Sequence, residues 1–237
     1  MRCGLYSFGP NRLHYCGPDA NKEMFDYLKE GLSNPGLEVL LRKFETLYPY
    51  LKKIAWSNDI KDPFDERVVE AYWIGNELLD GVSKKELYQN LLEDHGLKKK
   101  LTPKEFSRLK EKIDEGALPH HSFHVFNIWK RTGHMQVPHT LESMDECRIG
   151  WGKTTEIDGP YITIKTRPLK FLENKLALGE ETTRRIVRRL DNQLDDIKKG
   201  DIITVHWGSP CEIITKKEAL MLERFTLLSI RLANKYL

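Results

Sequence analysis

The chain has 237 residues, of which 40% are hydrophobic and 31% charged, with a formal net charge of +3. That balance is ordinary for a globular protein and too mild to argue by itself for a nucleic-acid or membrane partner. No apolar run is long enough to span a bilayer and no hydrophobic signal core opens the chain, so a cytoplasmic protein is expected. The four cysteines, Cys3, Cys16, Cys147 and Cys211, are too few and too scattered for a disulfide scaffold. In a reducing compartment they serve as thiols or metal ligands.

The opening segment RCGLYSFGPNRLHYCGP places Cys3, His14 and Cys16 among glycines and prolines, which reads as an irregular loop or short strands. Helical spacing starts after Asp19, a fair cap, with Met24, Phe25, Leu28 and Leu32 on one side. Asn34-Pro35-Gly36 is a break, and the apolar-rich run that follows is divided or kinked at Pro49. Asp62-Pro63 opens a third helix, apolar on Val68, Val69, Tyr72, Trp73 and Leu78. Ser83 is a candidate cap for a fourth. Thr102, Pro103 and Glu105 spell a capping box with proline at the first helical position of a fifth.

The helical part closes on PHHSFHVFNIWKRTGH, with His120, His121, His124 and His134. Histidines at i, i+3 and i+4 share a helix face, and on a strand His120 and His124 would share one, so either geometry could let the group His120, His121 and His124 present two imidazoles to one metal, with Cys3 or Cys16 completing the shell. The alternative is that these histidines, lying beside Phe123, Val125, Phe126, Ile128 and Trp129, are satisfied core groups.

The back part changes period. IGWGKTTEIDGPYITIKT reads as a hairpin about Asp158-Gly159, KLALG as a short strand, and IITVHWG as a β-branched strand after the Gly200-Asp201 turn. CEII returns beside it, and Thr215 caps a final helix apolar on Ala219, Leu220, Leu222, Phe225, Leu228 and Ile230. TTRRIVRRLDNQL has helical spacing of Ile186, Val187 and Leu190, capped by Thr182 or Thr183. The expected fold class is therefore α+β: an all-helical domain over 1–140, then a small OB-like barrel with a closing helix over 145–237.

Cys147 is expected to open a strand, followed by Lys153, then Gly200, Asp201, Val205, His206, Gly208 and a helix from about Lys216. In that order these residues resemble the small nickel-iron (NiFe) hydrogenase maturation chaperones of the HypC/HupF type, over about 147–237. Two features depart from them: Cys147 lies deep inside the chain instead of following the initiator methionine, and Trp151 stands where they carry proline. The resemblance implies custody of an iron ion bearing cyanide and carbon monoxide. Its implied partners are other maturation proteins and the hydrogenase large subunit, and the role is closer to a metallochaperone than to a catalyst. A thiolate suits such iron, so Cys147 is the implied ligand, with His206 as second ligand or hydrogen-bond donor and Cys211 as a weaker candidate. The helical part has no counterpart there, and Cys3, His14, Cys16, His120, His121 and His124 would form any second metal site, including that of a metal-dependent enzyme.

Arg184, Arg185, Arg188 and Arg189 on the expected helix supply a rival reading, since OB-like barrels bind oligonucleotides through phosphate contacts. Flanking acids and the absence of a stacking motif make a solvated or protein-docking face the better account, so nucleic acid is not the expected partner.

Overall fold

The computed structural model describes residues 1–99, 101–128, 138–188 and 194–237. Expectations placed on Trp129, His134, Arg189 and Leu190 lie outside them. The fold is α+β, with helices preceding a mostly antiparallel sheet.

The first element corrects the expected loop. Helix α1 (Arg2–Arg12) is continuous and buried for most of its length despite Gly4, Gly9 and Pro10. Close packing explains the glycines. A Cβ on Gly9 would lie 2.2 Å from the carbonyl oxygen of His206, so only glycine lets the helix pass beneath that strand. Helix α2 (Asn21–Lys29) has Ala20 at its cap position instead of Asp19, and α3 (Pro35–Arg42) is capped by Asn34. The break before α4 (Leu47–Ser57) falls at 43–46, and Pro49 sits harmlessly in its first turn. Helix α5 (Glu66–Trp73) is capped by Asp65. Full capping boxes start α6 (Lys84–Gln89) at Ser83 and α7 (Pro103–Asp114) at Thr102, the latter as the sequence indicates. A short α8 (His121–Phe123) runs into a π-helical turn, His124–Ile128. Helix α9 (Leu141–Cys147) completes this part.

The sheet orders its strands β5-β2-β1-β6-β7, all neighbours antiparallel. These are β1 (Gly150–Asp158), β2 (Tyr161–Thr166), β5 (Thr182–Val187), β6 (Ile202–His206) and β7 (Ser209–Ile214). Strands β3 (Leu169–Leu172) and β4 (Lys175–Leu178) pair separately. Asp158 pairs with Tyr161 across Gly159-Pro160, which is the hairpin expected there. The expected OB-like barrel does not close: among the described residues no ladder joins the edge strands β5 and β7. The expected arginine helix is a strand. Ile186 is buried on the β2 side of β5, and alternation wins over the helical spacing because β2 offers a complete pairing partner from Tyr161 to Thr166. Helix α10 (Lys216–Asn234) closes the chain from a capping box at Thr215.

The largest buried cluster draws on both parts of the sequence. Tyr6, Leu28, Tyr50, Tyr72 and Trp73 share it with Ile149, Cys211, Leu222 and Phe225. Arg2 links the same parts electrostatically, through Glu70 on α5, Glu212 on β7 and Glu218 on α10, each at 2.8 Å. Among the described residues no helix is long and apolar enough to cross a membrane.

Candidate metal centre

Three elements far apart in sequence deliver three side chains to one place. His121 comes from α8, Cys147 is the last residue of α9, and His206 is the last residue of β6. One ligand atom from each lies within 4.8 Å of the others. Metal–nitrogen and metal–sulfur bonds of about 2.0–2.3 Å would need these atoms to draw in by about an ångström.

The local structure explains the convergence. Gly150 pairs with Val205, and the Trp207 N–H donates to the Glu146 carbonyl at 2.8 Å. The residue before Cys147 is thereby fastened to the residue after His206. Trp207 and Gly208 both have positive φ, at 50° and 67°, and make the tight turn that pairs His206 with Ser209. The turn leaves His206 at the strand end, under the carbonyl of Tyr6.

Hydrogen bonds fix both ring orientations. A carbonyl only accepts, so His206 Nδ1 donates to the Tyr6 oxygen at 2.7 Å, and His121 Nε2 donates to the Cys147 oxygen at 2.8 Å. The lone pairs then reside on His206 Nε2 and His121 Nδ1. An imidazole whose other N–H is held by a backbone carbonyl is the usual arrangement around a bound metal. Burial, aided by the neighbouring His206, holds the His121 pKa well below the ordinary 6.5, so its ring is neutral and able to coordinate. The Tyr72 hydroxyl donates to His121 Nδ1 at 3.1 Å and is the group a metal would displace. The His121 and His206 rings meet edge to face at 5.1 Å, with Trp73 against both. Beside these groups lies a cavity of about 40 Å³, walled mainly by Phe44, Leu47, Trp73, Val125 and Trp207. It has room for a single ion or a water-sized ligand.

The other sequence candidates separate. Cys147 closes a helix instead of opening a strand, because Thr140 caps Leu141–Cys147 and β1 begins at Gly150. Cys16 and His124 border the same cavity. His124 Nδ1 meets the Tyr50 hydroxyl at 3.2 Å. His120 does not join them: its Nδ1 accepts from the Ser122 N–H at 3.1 Å as a helix cap, its ring stacks on Phe225, and burial pushes its pKa down to about 3. Cys3 is buried in α1, its pKa pushed up to about 12 by burial, which marks an inert packing thiol. Cys211 is fully buried on β7 and donates weakly to the Ser209 carbonyl at 3.5 Å. His14 lies in the α1–α2 loop, against Asp19 at 3.0 Å and Asn21 at 3.2 Å. None of the four cysteines forms a disulfide.

Tyr72 and Trp73 read in the sequence as core residues of an amphipathic helix, and nothing in the pattern marked them as neighbours of a site. His139, which also borders the cavity, was equally silent. The arginines on and just after β5 are engaged by acids: Arg184 with Glu146 at 2.7 Å, Arg185 with Asp158 at 3.3 Å, and Arg188 with Asp195 at 2.6 Å.

Neither a curated protein nor a solved structure matches the chain. A family model does match, over residues 2–237, and by it the chain belongs to a family of unknown function (DUF6390).

Proposed function

We propose that the protein binds a transition-metal ion through His121, Cys147 and His206 and serves as its carrier. The observation that supports this reading is the donor set itself: one thiol and two tautomer-fixed imidazoles with their ligand atoms within 4.8 Å. Thiolate with imidazole favours iron, zinc or copper over magnesium or calcium. The oriented side chains and the apolar wall exclude bulk water and hold the ion, while the thiolate gives a ligand that can be exchanged on transfer.

The cargo we propose is the iron–cyanide–carbonyl fragment of a nickel-iron hydrogenase, delivered to the large subunit. This part rests on the resemblance of residues 147–237 to the HypC/HupF-type chaperones and on the agreement of its two implied ligands, Cys147 and His206, with the observed cluster. Anaerobic protein co-produced with maturation proteins should then carry iron with infrared bands of cyanide and carbon monoxide. Cys147→Ser should remove those bands while leaving the fold intact. Iron-free wild type, or bands unchanged in the variant, would sink the assignment. A metal-dependent enzyme is the second reading, favoured by the cavity beside the ligands, since a catalytic metal keeps a position open. Nucleic-acid binding loses support because Arg184 and Arg185 stand on a strand and, with Arg188, face carboxylates.

A further inference from the structure

Lysine is almost never buried without a partner, because taking its ammonium out of water is costly. Lys112 on α7 is only 9% exposed, and among the described residues no carboxylate forms an ion pair with it. Its ammonium stands 5.3 Å from the centre of the Tyr236 ring instead. Two acids of the same helix end are engaged by others, Glu111 by the Tyr236 hydroxyl and Glu115 by the Lys235 ammonium.

Lys112 lines a cavity of about 170 Å³ between α7, the π-helical turn and the end of α10. Leu97, Leu101, Leu109 and Ile128 give it apolar walls, Arg108 adds a second cation, and exposed Glu105 stands at its edge. Asn127 brings a second unmet group to the same cavity. Its Nδ2 donates to the Ser229 carbonyl at 3.0 Å, while its buried Oδ1 has no hydrogen-bond partner among the described residues. Buried polar groups are ordinarily paired, so two without a protein hydrogen bond on one cavity mark a site that a ligand completes.

We propose that this cavity binds a small carboxylic acid with an apolar chain, its carboxylate on Lys112 and Arg108 and its chain against the leucines. One buried ammonium matches a single negative charge, and the second charge of a phosphate monoester would be repelled by Glu105. The Asn127 oxygen is placed to accept from a hydroxyl or N–H of the same ligand. None of His121, Cys147 and His206 lines this cavity, so this proposal and the metal reading stand or fall separately.

Burial, followed by the charge on Arg108, pushes the Lys112 pKa down to about 8. A bound carboxylate stabilises the ammonium, so binding is strong below pH 8 and weakens as pH rises through it. The neighbouring groups do not titrate in that window. A guanidinium stays charged. Hydrogen bonds from Thr102 and Tyr236 lower the pKa values of Glu105 and Glu111, burial raises that of Tyr236, and Glu115 raises that of Lys235.

Hexanoate serves as the probe, with hexan-1-ol as its uncharged counterpart. Isothermal titration of the full chain should show hexanoate affinity falling about tenfold between pH 7 and pH 9, with hexanol about tenfold weaker at pH 7. Lys112→Met should lose about tenfold at pH 7, and Lys112→Arg should bind with no pH dependence. Trace acetylation of wild type with acetic anhydride, read by mass spectrometry, needs no variant to fold. Hexanoate should slow labelling at Lys112 and leave the exposed Lys104 and Lys110 unchanged. Hexanol binding as tightly as hexanoate, a wild type without pH dependence, or Lys112 labelled at its ligand-free rate overturns the proposal. So does a protein that takes up no hexanoate.

Discussion

The His121 Nε2–H donates to the backbone carbonyl of Cys147 at 2.8 Å, so one candidate ligand orients the other. The bond joins α8 to the end of α9 and turns the His121 lone pair, on Nδ1, away from Cys147's own backbone. Metal binding at His121 Nδ1 therefore competes with the Tyr72 hydroxyl at 3.1 Å. Everything else about the ring is already set.

Tyr72→Phe tests that competition. The variant leaves a buried nitrogen without its donor in the metal-free protein, a loss of about 1 kcal/mol or more. Metal recovers that loss, so affinity should rise, by roughly tenfold for each 1.4 kcal/mol. Isothermal titration with zinc measures it. Weaker binding in the phenylalanine variant would mean that the phenol takes part in holding the ion.

Gly9→Ala tests how the helical part positions the strand ligand. The added methyl would stand 2.2 Å from the His206 carbonyl oxygen, so α1 and β6 must separate. Overpacking of this kind costs about 2 kcal/mol. Thermal unfolding should drop, and metal affinity should fall as well, although residue 9 offers no ligand. Unchanged affinity would show that His206 is placed by the sheet alone.

Stability should decline with acid in a window set by the buried histidines. Burial lowers the folded pKa of His120 to about 3, against an ordinary 6.5, and lowers that of His121 in the same direction. Between those limits the unfolded chain binds protons that the folded chain refuses. Stability is thus fully present above pH 6.5 and is lost as pH falls toward 3, by about 1.4 kcal/mol per pH unit for each histidine. Urea titrations from pH 7 to pH 4 should show this slope, and His120→Asn, which keeps a capping side chain, should reduce it by one histidine's share. An unaltered slope would contradict the assignment of a buried neutral ring at position 120.

Much of the fold was legible wherever a local signal sufficed. Thr102 and Thr215 carry their own capping boxes, and Asp158-Gly159 carries its own turn. What failed was decided at a distance. Gly4, Gly9 and Pro10 argue locally against a helix, and only the close passage of α1 beneath β6 makes Gly9 an advantage. Ile186, Val187 and their arginines carry helical spacing, yet β2 supplies the partner that makes β5 a strand. The site shows the same division. Cys147 and His206 were marked by the motif around each, and His121 by its cluster. Choosing His121 over His120 required knowing that the ring of His120 turns to Phe225 while that of His121 meets His206 at 5.1 Å. Tyr72 had no sequence signal, because an aromatic on an apolar helix face is ordinarily core.

X-ray absorption on the zinc-loaded protein tests the central claim most directly. The account requires sulfur at about 2.3 Å together with two imidazole nitrogens at about 2.0–2.1 Å. His121→Ala and His206→Ala should each remove one imidazole, and Cys147→Ser should remove a sulfur. A first shell of oxygen ligands only, or a spectrum unchanged in all three variants, would contradict it.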